Sequence, residues 1–288
     1  MKITRIVLTL IAIPALIVAF FSVTIYAGGM DNRLTRSFNK NFSFLPAAVV
    51  AGKFVFLGEV DKQSRMYENA VNFQSKDLVA DSAAPRAAIL QTLIDQEIVR
   101  DLLGRKNNAV RPQELDDYYQ HIAAQFETKN VFEIFGVSES EFKKTVVLPD
   151  LEEKKLRVAV YAEAVESKER QRAVKIKQLI DDGLDFSEAV KSYSEDENSK
   201  YIDGDLGFKS EGQLGPWLAV PAFGLQASST SAVTVSPEGY HIMRVMGRDL
   251  DASPQEIQVQ HIFIRGFDFE EYLDNQKKNY RIYTFLRD

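Results

Sequence analysis

The spacing of apolar positions takes three characters along this chain. From Ile6 to Ala27 there is no spacing at all: the run is almost wholly apolar and uncharged, with Lys2 and Arg5 ahead of it. A run of about 20 such residues is long enough to cross a bilayer as a helix, so residues 1–27 are expected to be a transmembrane anchor. A cleaved signal peptide is the competing expectation. Against it stand the length of the run and Tyr26, bulky where cleavage wants a small residue. The positive flank keeps the N-terminus cytoplasmic, which predicts a single-pass protein of the cell membrane with its bulk outside the cytoplasm. Residues 28–46 read as a polar linker.

From about residue 47 the period becomes helical. Leu90, Leu93, Ile94, Ile98 and Leu102 recur at helix spacing, and Gly104 stands where a C-terminal cap is expected. Pro112 suits a first helical turn, with Leu115, Tyr118, Tyr119 and Ile122 facing inward. Ser138–Glu141 is a capping box opening a helix that carries Phe142 and Val146. Pro149 is expected to break or kink that helix, and Leu151–Val165 resumes it. Residues 47–166 are therefore read as a helical domain. Two more helices follow: Lys168 to Asp182, stopped by Gly183, and one opened by Asp185 that buries Phe186, Ala189, Val190 and Tyr193.

The third spacing is alternation. Gly239–Val245 reads as a strand with His241, Met243 and Val245 on one face. Between the last helix and this strand lies a glycine-punctuated run, Gly204-Asp205-Leu206-Gly207-Phe208, followed by Glu211-Gly212-Gln213. Glycines there supply the positive φ that tight turns need.

Composition narrows the chemistry. The length of 288 residues allows two domains and extras. A net charge of −6 gives little electrostatic support to nucleic-acid binding. There is no cysteine, which excludes disulfides, thiolate metal sites, thiol catalysis and lipidation through cysteine. His121 has no cluster of chemical partners near it in sequence and reads as a packing or surface residue.

The segment from Ser194 to Val245 resembles the parvulin family of peptidyl-prolyl isomerases. The resemblance is carried by Ser194-Glu195-Asp196, Asp203-Gly204-Asp205-Leu206-Gly207-Phe208, Gly212-Gln213-Leu214, Ala222-Phe223-Gly224-Leu225 and Gly239-Tyr240-His241-Ile242, in the family's order. It covers roughly residues 167–248. It implies that His241, Asp196 and Ser236 belong to the catalytic network. Leu214, Leu218 and Phe223 would line the proline socket, the two leucines standing where the family commonly has Met and Phe. Taken singly, Asp196 would be one more solvated acid in an acidic loop, and Phe223 a core residue. The helical stretch before it, opened by Val49-Val50-Ala51-Gly52-Lys53-Phe54-Val55, is similar to the N-terminal part of SurA- and PrsA-type foldases.

These resemblances imply a membrane-anchored foldase outside the cytoplasm that isomerises X-Pro bonds in unfolded or proline-containing polypeptides, without metal or cofactor. The alternative is a non-catalytic chaperone whose parvulin domain only binds peptides.

One strand is missing from its usual place. Parvulins open with a strand of the type V-x-x-H-I-L-V, but Leu156–Ala162 has no histidine and runs helically. The pattern stands instead after the domain, at Ile257-Gln258-Val259-Gln260-His261-Ile262-Phe263-Ile264. Either a second, truncated repeat begins here, or the domain is circularly permuted and His261 is the second catalytic histidine. Permutation needs only a turn over Asp249–Gln255. A hairpin symmetric about Asp251 would put His241 directly opposite His261, with Cβ atoms about 4.5–5.5 Å apart. The strand could come from its own chain or be exchanged in a homodimer. The tail Phe269–Leu286 is expected to be a helix covering the sheet through Phe269, Leu273, Tyr280 and Tyr283. The predicted fold class is α+β: an anchor, a helical domain, and a parvulin-like domain over residues 167–288 with a four-stranded antiparallel sheet completed by residues 256–264.

Overall fold

The computed structural model describes residues 43–74, 86–124 and 128–286. The expected transmembrane segment Ile6–Ala27 lies outside them. Among the described residues no helix is long and apolar enough to cross a membrane. The expected fold class is corrected on that point: the fold is α+β, helices with antiparallel sheets, and the membrane-spanning helix is removed from it.

The chain forms two compact units that interleave in sequence. One takes in residues up to Asp101, Lys129–Phe142 and the tail from Lys277; the other takes in Leu102–Thr128 and Lys143–Gln276. The first unit opens with a hairpin of β1 (Pro46–Val50) and β2 (Lys53–Phe56). Its two-residue turn places Ala51 and Gly52 at φ 53° and 74°, which suits the twist of tight hairpins. Helices α1 (Leu57–Gln74) and α2 (Arg86–Arg105) follow. The second of these runs past Gly104, the expected cap, because Asn107 takes the left-handed position instead, at φ 51°.

Helix α3 (Pro112–Ala123) belongs to the second unit, and α4 (Thr128–Phe135) and α5 (Glu139–Phe142) lead back from the first. The chain does not break at Pro149. Lys143–Val147 form a π-helical turn that runs directly into α6 (Leu148–Glu163), Val147 keeping helical dihedrals of −72° and −42°, and Pro149 stands in the first turn of α6.

The second unit is built on a four-stranded antiparallel sheet. After α7 (Lys168–Asp181) and α8 (Phe186–Tyr193) come β3 (Asp205–Ser210), α9 (Glu211–Phe223), β4 (Thr234–Val235), β5 (Gly239–Asp249) and β6 (Glu256–Arg265). The sheet order is β3-β6-β5-β4, so the last strand in sequence is central. β5 is buried on both faces from Gly239 to Met243, and β6 at His261 and Ile262, while the earlier part of β6 alternates buried and half-buried residues. Odd positions Met243, Val245, Ile257 and Val259 form a core with Ala222 of α9. Even positions Tyr240, Ile242, Ile262 and Ile264 are buried on the other face, and α7 and α8 pack against these two strands.

The hairpin is not symmetric about Asp251. His241 pairs with Phe263, and His261 with Met243. The register is displaced by two residues from the expected one, and a bulge at Met246, between Val245 and Gly247, absorbs a further residue. The tail also departs from expectation. Helix α10 covers only Phe269–Lys277, with Phe269 and Leu273 buried. Tyr283–Thr284 then forms β7, paired with β1 in the first unit's sheet. There Tyr283 is 57% exposed, while Tyr280 donates to Asp101 at 2.7 Å.

Candidate active site

Backbone geometry brings the site together before any side chain does. Gly204 has φ 74°, and a Cβ there would lie 2.4 Å from the carbonyl oxygen of His261. Only glycine lets the chain come this close, and the approach is sealed by the His261 N–H donating to the Gly204 carbonyl at 2.8 Å. At the other histidine, Gly239 has φ 152°, and a Cβ would meet the Ile264 carbonyl oxygen at 2.3 Å. Beyond Gln260 the strand β6 has no β3 partner. The loop after α8 takes over: Glu195 N–H donates to the Phe263 carbonyl at 2.8 Å, and Phe263 N–H donates to Ser194 Oγ at 3.2 Å. Those bonds hold Asp196 against His261.

The structure joins Asp196, His261, His241 and Ser236 into one hydrogen-bonded chain. Asp196 Oδ2 lies 2.9 Å from His261 Nε2. The two Nδ1 atoms of His261 and His241 are 3.3 Å apart, and their rings stack with centroids 5.5 Å apart. His241 Nε2 is 2.9 Å from Ser236 Oγ. A register displaced by two residues leaves the histidines diagonal neighbours rather than opposite each other, and an even displacement keeps both on one face. Phe263, across from His241, packs on its ring at 5.0 Å.

All of this is sheltered from water. His241, His261 and Ser236 are 5%, 7% and 2% exposed. Burial above all pushes His241 down to about 3; the neighbouring His261 adds to this and Asp196 opposes it. Burial also lowers His261, against the hydrogen bond and charge of Asp196. For Asp196 burial works upward, but hydrogen bonds from Ser199, His261 and the Asn198 N–H outweigh it and hold the carboxyl below its ordinary value. Both rings are therefore neutral near pH 7 beside an ionised acid. The tautomers follow from the acceptor at the end. His261 Nε2–H donates to Asp196 and His241 Nδ1–H donates to His261 Nδ1, which leaves His241 Nε2 an acceptor facing Ser236 Oγ.

Two members were not legible in the sequence. Ser199 Oγ donates to Asp196 at 2.5 Å and touches His261 Nε2 at 3.1 Å. Its signal is an acid three residues before a serine in a turn, a pattern that surface loops share. Glu238 Oε2 lies 2.6 Å from Ser236 Oγ, so the one hydroxyl proton of Ser236 is contested between Glu238 and His241.

The apolar side of the site is separate from this chain. Leu214, Leu218 and Phe223 are half-buried on α9 and pack with Leu206 and Leu225 against Met243, Val245, Ile257 and Val259. They share the sheet face with the histidines, Met243 being the residue two beyond His241. The result is an apolar surface ending at a neutral, dry polar network. A Ser–His–His–Asp chain also suggests nucleophilic catalysis. Ser236, however, is 2% exposed and bound on two sides, so it has no path to a substrate carbonyl.

Residues 155–247 match the family model described as a rotamase, the PPIC-type PPIase domain. The match ends before β6. Similar proteins include foldase protein PrsA 2 of Bacillus anthracis, 26% identical over 172 residues, which are 54% of this chain and 60% of that one. Foldase protein PrsA of Oceanobacillus iheyensis is 34% identical over 98 residues, 34% of this chain and 32% of the relative. Chaperone SurA of Alkalilimnicola ehrlichii is 35% identical over 92 residues, 32% of this chain and 21% of the relative. The alignments span between a fifth and three fifths of these relatives. A crystal structure of peptidylprolyl isomerase PrsA from Bacillus anthracis covers 66% of this chain and 86% of its own, at 22% identity and a TM-score of 0.25.

Proposed function

We propose, from a chain that carries a parvulin-type peptidyl-prolyl isomerase domain with PrsA- and SurA-like relatives, that this protein is a foldase that rotates X-Pro bonds in unfolded polypeptides. The observation that carries the proposal is the buried chain Asp196–His261–His241–Ser236 beside the apolar surface of Leu214, Leu218 and Phe223.

Rotation about a peptide bond faces a barrier of about 18–20 kcal/mol set by amide resonance. No covalent bond is made, so a catalyst needs only to favour the twisted amide over both planar forms. The apolar surface holds the prolyl ring and strips water from the amide. A dry carbonyl loses the hydration that stabilises its resonance form. The histidine pair contributes a fixed, neutral set of dipoles that needs no reorganisation as charge leaves the oxygen. In this assignment His241, His261, Asp196 and Ser236 form the catalytic network, and Leu214, Leu218 and Phe223 the proline socket. Residues 47–166 supply the client-holding part. The position of β6 between β3 and β5 of the same chain supports a sheet completed without an exchanged strand. Work outside the cytoplasm is the finer part of the proposal. Its support is the uncharged run Ile6–Ala27 behind Lys2 and Arg5, and fractionation of the producing cell tests it.

A protease-coupled assay on proline tetrapeptides tests the activity. The wild-type chain should accelerate cis-to-trans conversion, and His241→Ala should lower kcat/KM by about tenfold or more. Background rates together with intact suppression of client aggregation would leave the alternative, a chaperone whose parvulin domain only binds peptide. Leu218, without an aromatic face to lay on proline, is the residue that keeps this second reading in view.

A further inference from the structure

We propose that helix α3 is a built-in brace for the proline socket, with Tyr118 and His121 as positioning residues that set how tightly a prolyl residue is held. The proposal rests on the isomerase reading above.

The need for a brace lies in α9. This helix is broken at Gly215, which has φ 76° and ψ 169°, and Pro216 follows at once. Backbone at that φ and ψ is open only to glycine, and it ends the hydrogen-bond ladder of the first arm. Leu214 is thus on one arm, and Leu218 and Phe223 on the other. Helix geometry alone does not fix the distance between these socket walls; something outside α9 must.

What lies against the break is α3, within the same compact unit. The His121 imidazole sits where it would touch any side chain at Gly215, its Nε2 3.6 Å and Cε1 3.7 Å from the position of a Cβ. The same ring is hydrogen-bonded to the backbone of Gly212 on the first arm. One turn earlier on α3, Tyr118 stacks beside His121 at 6.3 Å and meets Trp217 of the second arm edge-on at 6.0 Å. Tyr118 is itself held. Its hydroxyl donates to Asp150 at 2.6 Å and accepts from Lys154 at 2.6 Å, both on α6. Two rings from α3 therefore grip the two arms of the broken helix, one each, and α6 anchors the grip. Both grips are on α9. Loosening them should spread the socket without disturbing the polar network, which is a binding effect more than a rate effect.

Trp217 is the only tryptophan in the chain, so its fluorescence reports on this contact directly. The experiment uses the full chain with His121→Ala, His121→Gln, Tyr118→Leu and Tyr118→Phe. Each is checked for folding by circular dichroism, titrated with a proline tetrapeptide while Trp217 emission is followed, and assayed for isomerisation. His121→Ala and Tyr118→Leu are expected to weaken peptide binding and raise KM by about threefold to tenfold with kcat little changed. His121→Gln, which keeps a donor for Gly212, should recover most of the loss, and Tyr118→Phe, which keeps the ring on Trp217, should lose less than Tyr118→Leu. Should His121→Ala or Tyr118→Leu fail to fold, the two conservative variants carry the comparison through their ranking. Unchanged peptide affinity in the folded variants overturns the brace. If the wild type binds peptide but has no isomerase activity, the isomerase reading fails while the titrations still decide the brace; if it binds no peptide, both fail.

Discussion

At the scale of residues, the site is a set of polar groups that accept burial because each has a partner. His241 and His261 are kept neutral by their dry surroundings, and that neutrality couples the network to stability. For each, the folded-state value lies below the ordinary 6.5 of histidine, with His241 at about 3. The unfolded chain therefore takes up protons first as the pH falls. Stability contributed by these rings is complete above about pH 6.5 and is lost on the way down towards the folded values. Urea unfolding between pH 7 and pH 5 should show stability falling by up to about 1.4 kcal/mol per pH unit for each ring. His241→Phe should make that slope shallower. A flat profile in the wild type would show that the rings are not held neutral. Strand alternation put His241 on an inward face, and the resemblance to the parvulin motif, not any period of their own, pointed to Asp196 and Ser236. Nothing pointed to Ser199 and Glu238, since one polar residue in a loop has no period to give it away.

At the scale of elements, glycines do the work that hydrophobic alternation cannot. Alternation decided which face of β5 and β6 carries the histidines, and it survives a displacement by two because two is the period of a strand. It could not decide the register. Here the turn between Asp249 and Glu256 and the extra residue Met246 set the pairing, and loop lengths of this kind leave no pattern in the flanking strands. Likewise Pro149 was visible as a helix breaker, but a π-helical turn upstream absorbs the disruption and leaves Pro149 in a tolerated position. The element-scale test is Gly204→Ala. The new methyl group would sit 2.4 Å from the His261 carbonyl and 3.0 Å from Val190 Cγ2, on backbone with φ 74°. Relief requires β3 and β6 to separate where His261 meets Asp196. We expect a loss of stability of about 1–3 kcal/mol by thermal unfolding, with a drop in kcat/KM larger than that of an alanine at Gly247, where a Cβ meets nothing within 4 Å. Equal effects at the two glycines would show that the close approach to His261 does not hold the site.

At the scale of the molecule, the order of strands in sequence differs from their order in space. The family match stops at residue 247, yet the strand carrying His261 lies beyond it and runs through the middle of the sheet. A linear motif reports segments in order, so it cannot see a strand supplied from the far side; a second His-Ile pattern at the tail was the only trace. The same tail then gives β7 to the sheet of the first unit. Removing Glu256–Asp288 therefore does more than shorten the chain. It takes the only pairing partner that β3 has among the described residues and the longer partner of β5, uncovers Met243 and Val245, and deletes the histidine that links Asp196 to His241. What would remain of the sheet is β5 with the two-residue β4, too little to stand alone in water. The shortened protein should show loss of cooperative unfolding in the isomerase unit by circular dichroism, rapid proteolysis across residues 167–249, and no isomerisation. A milder cut after Thr284 should leave the site intact, since every residue of the sheet in the second unit is retained. A protein ending at Gln255 that unfolds cooperatively and turns over proline peptides would mean that the sheet does not depend on its last strand, and that His261 is dispensable to the chemistry.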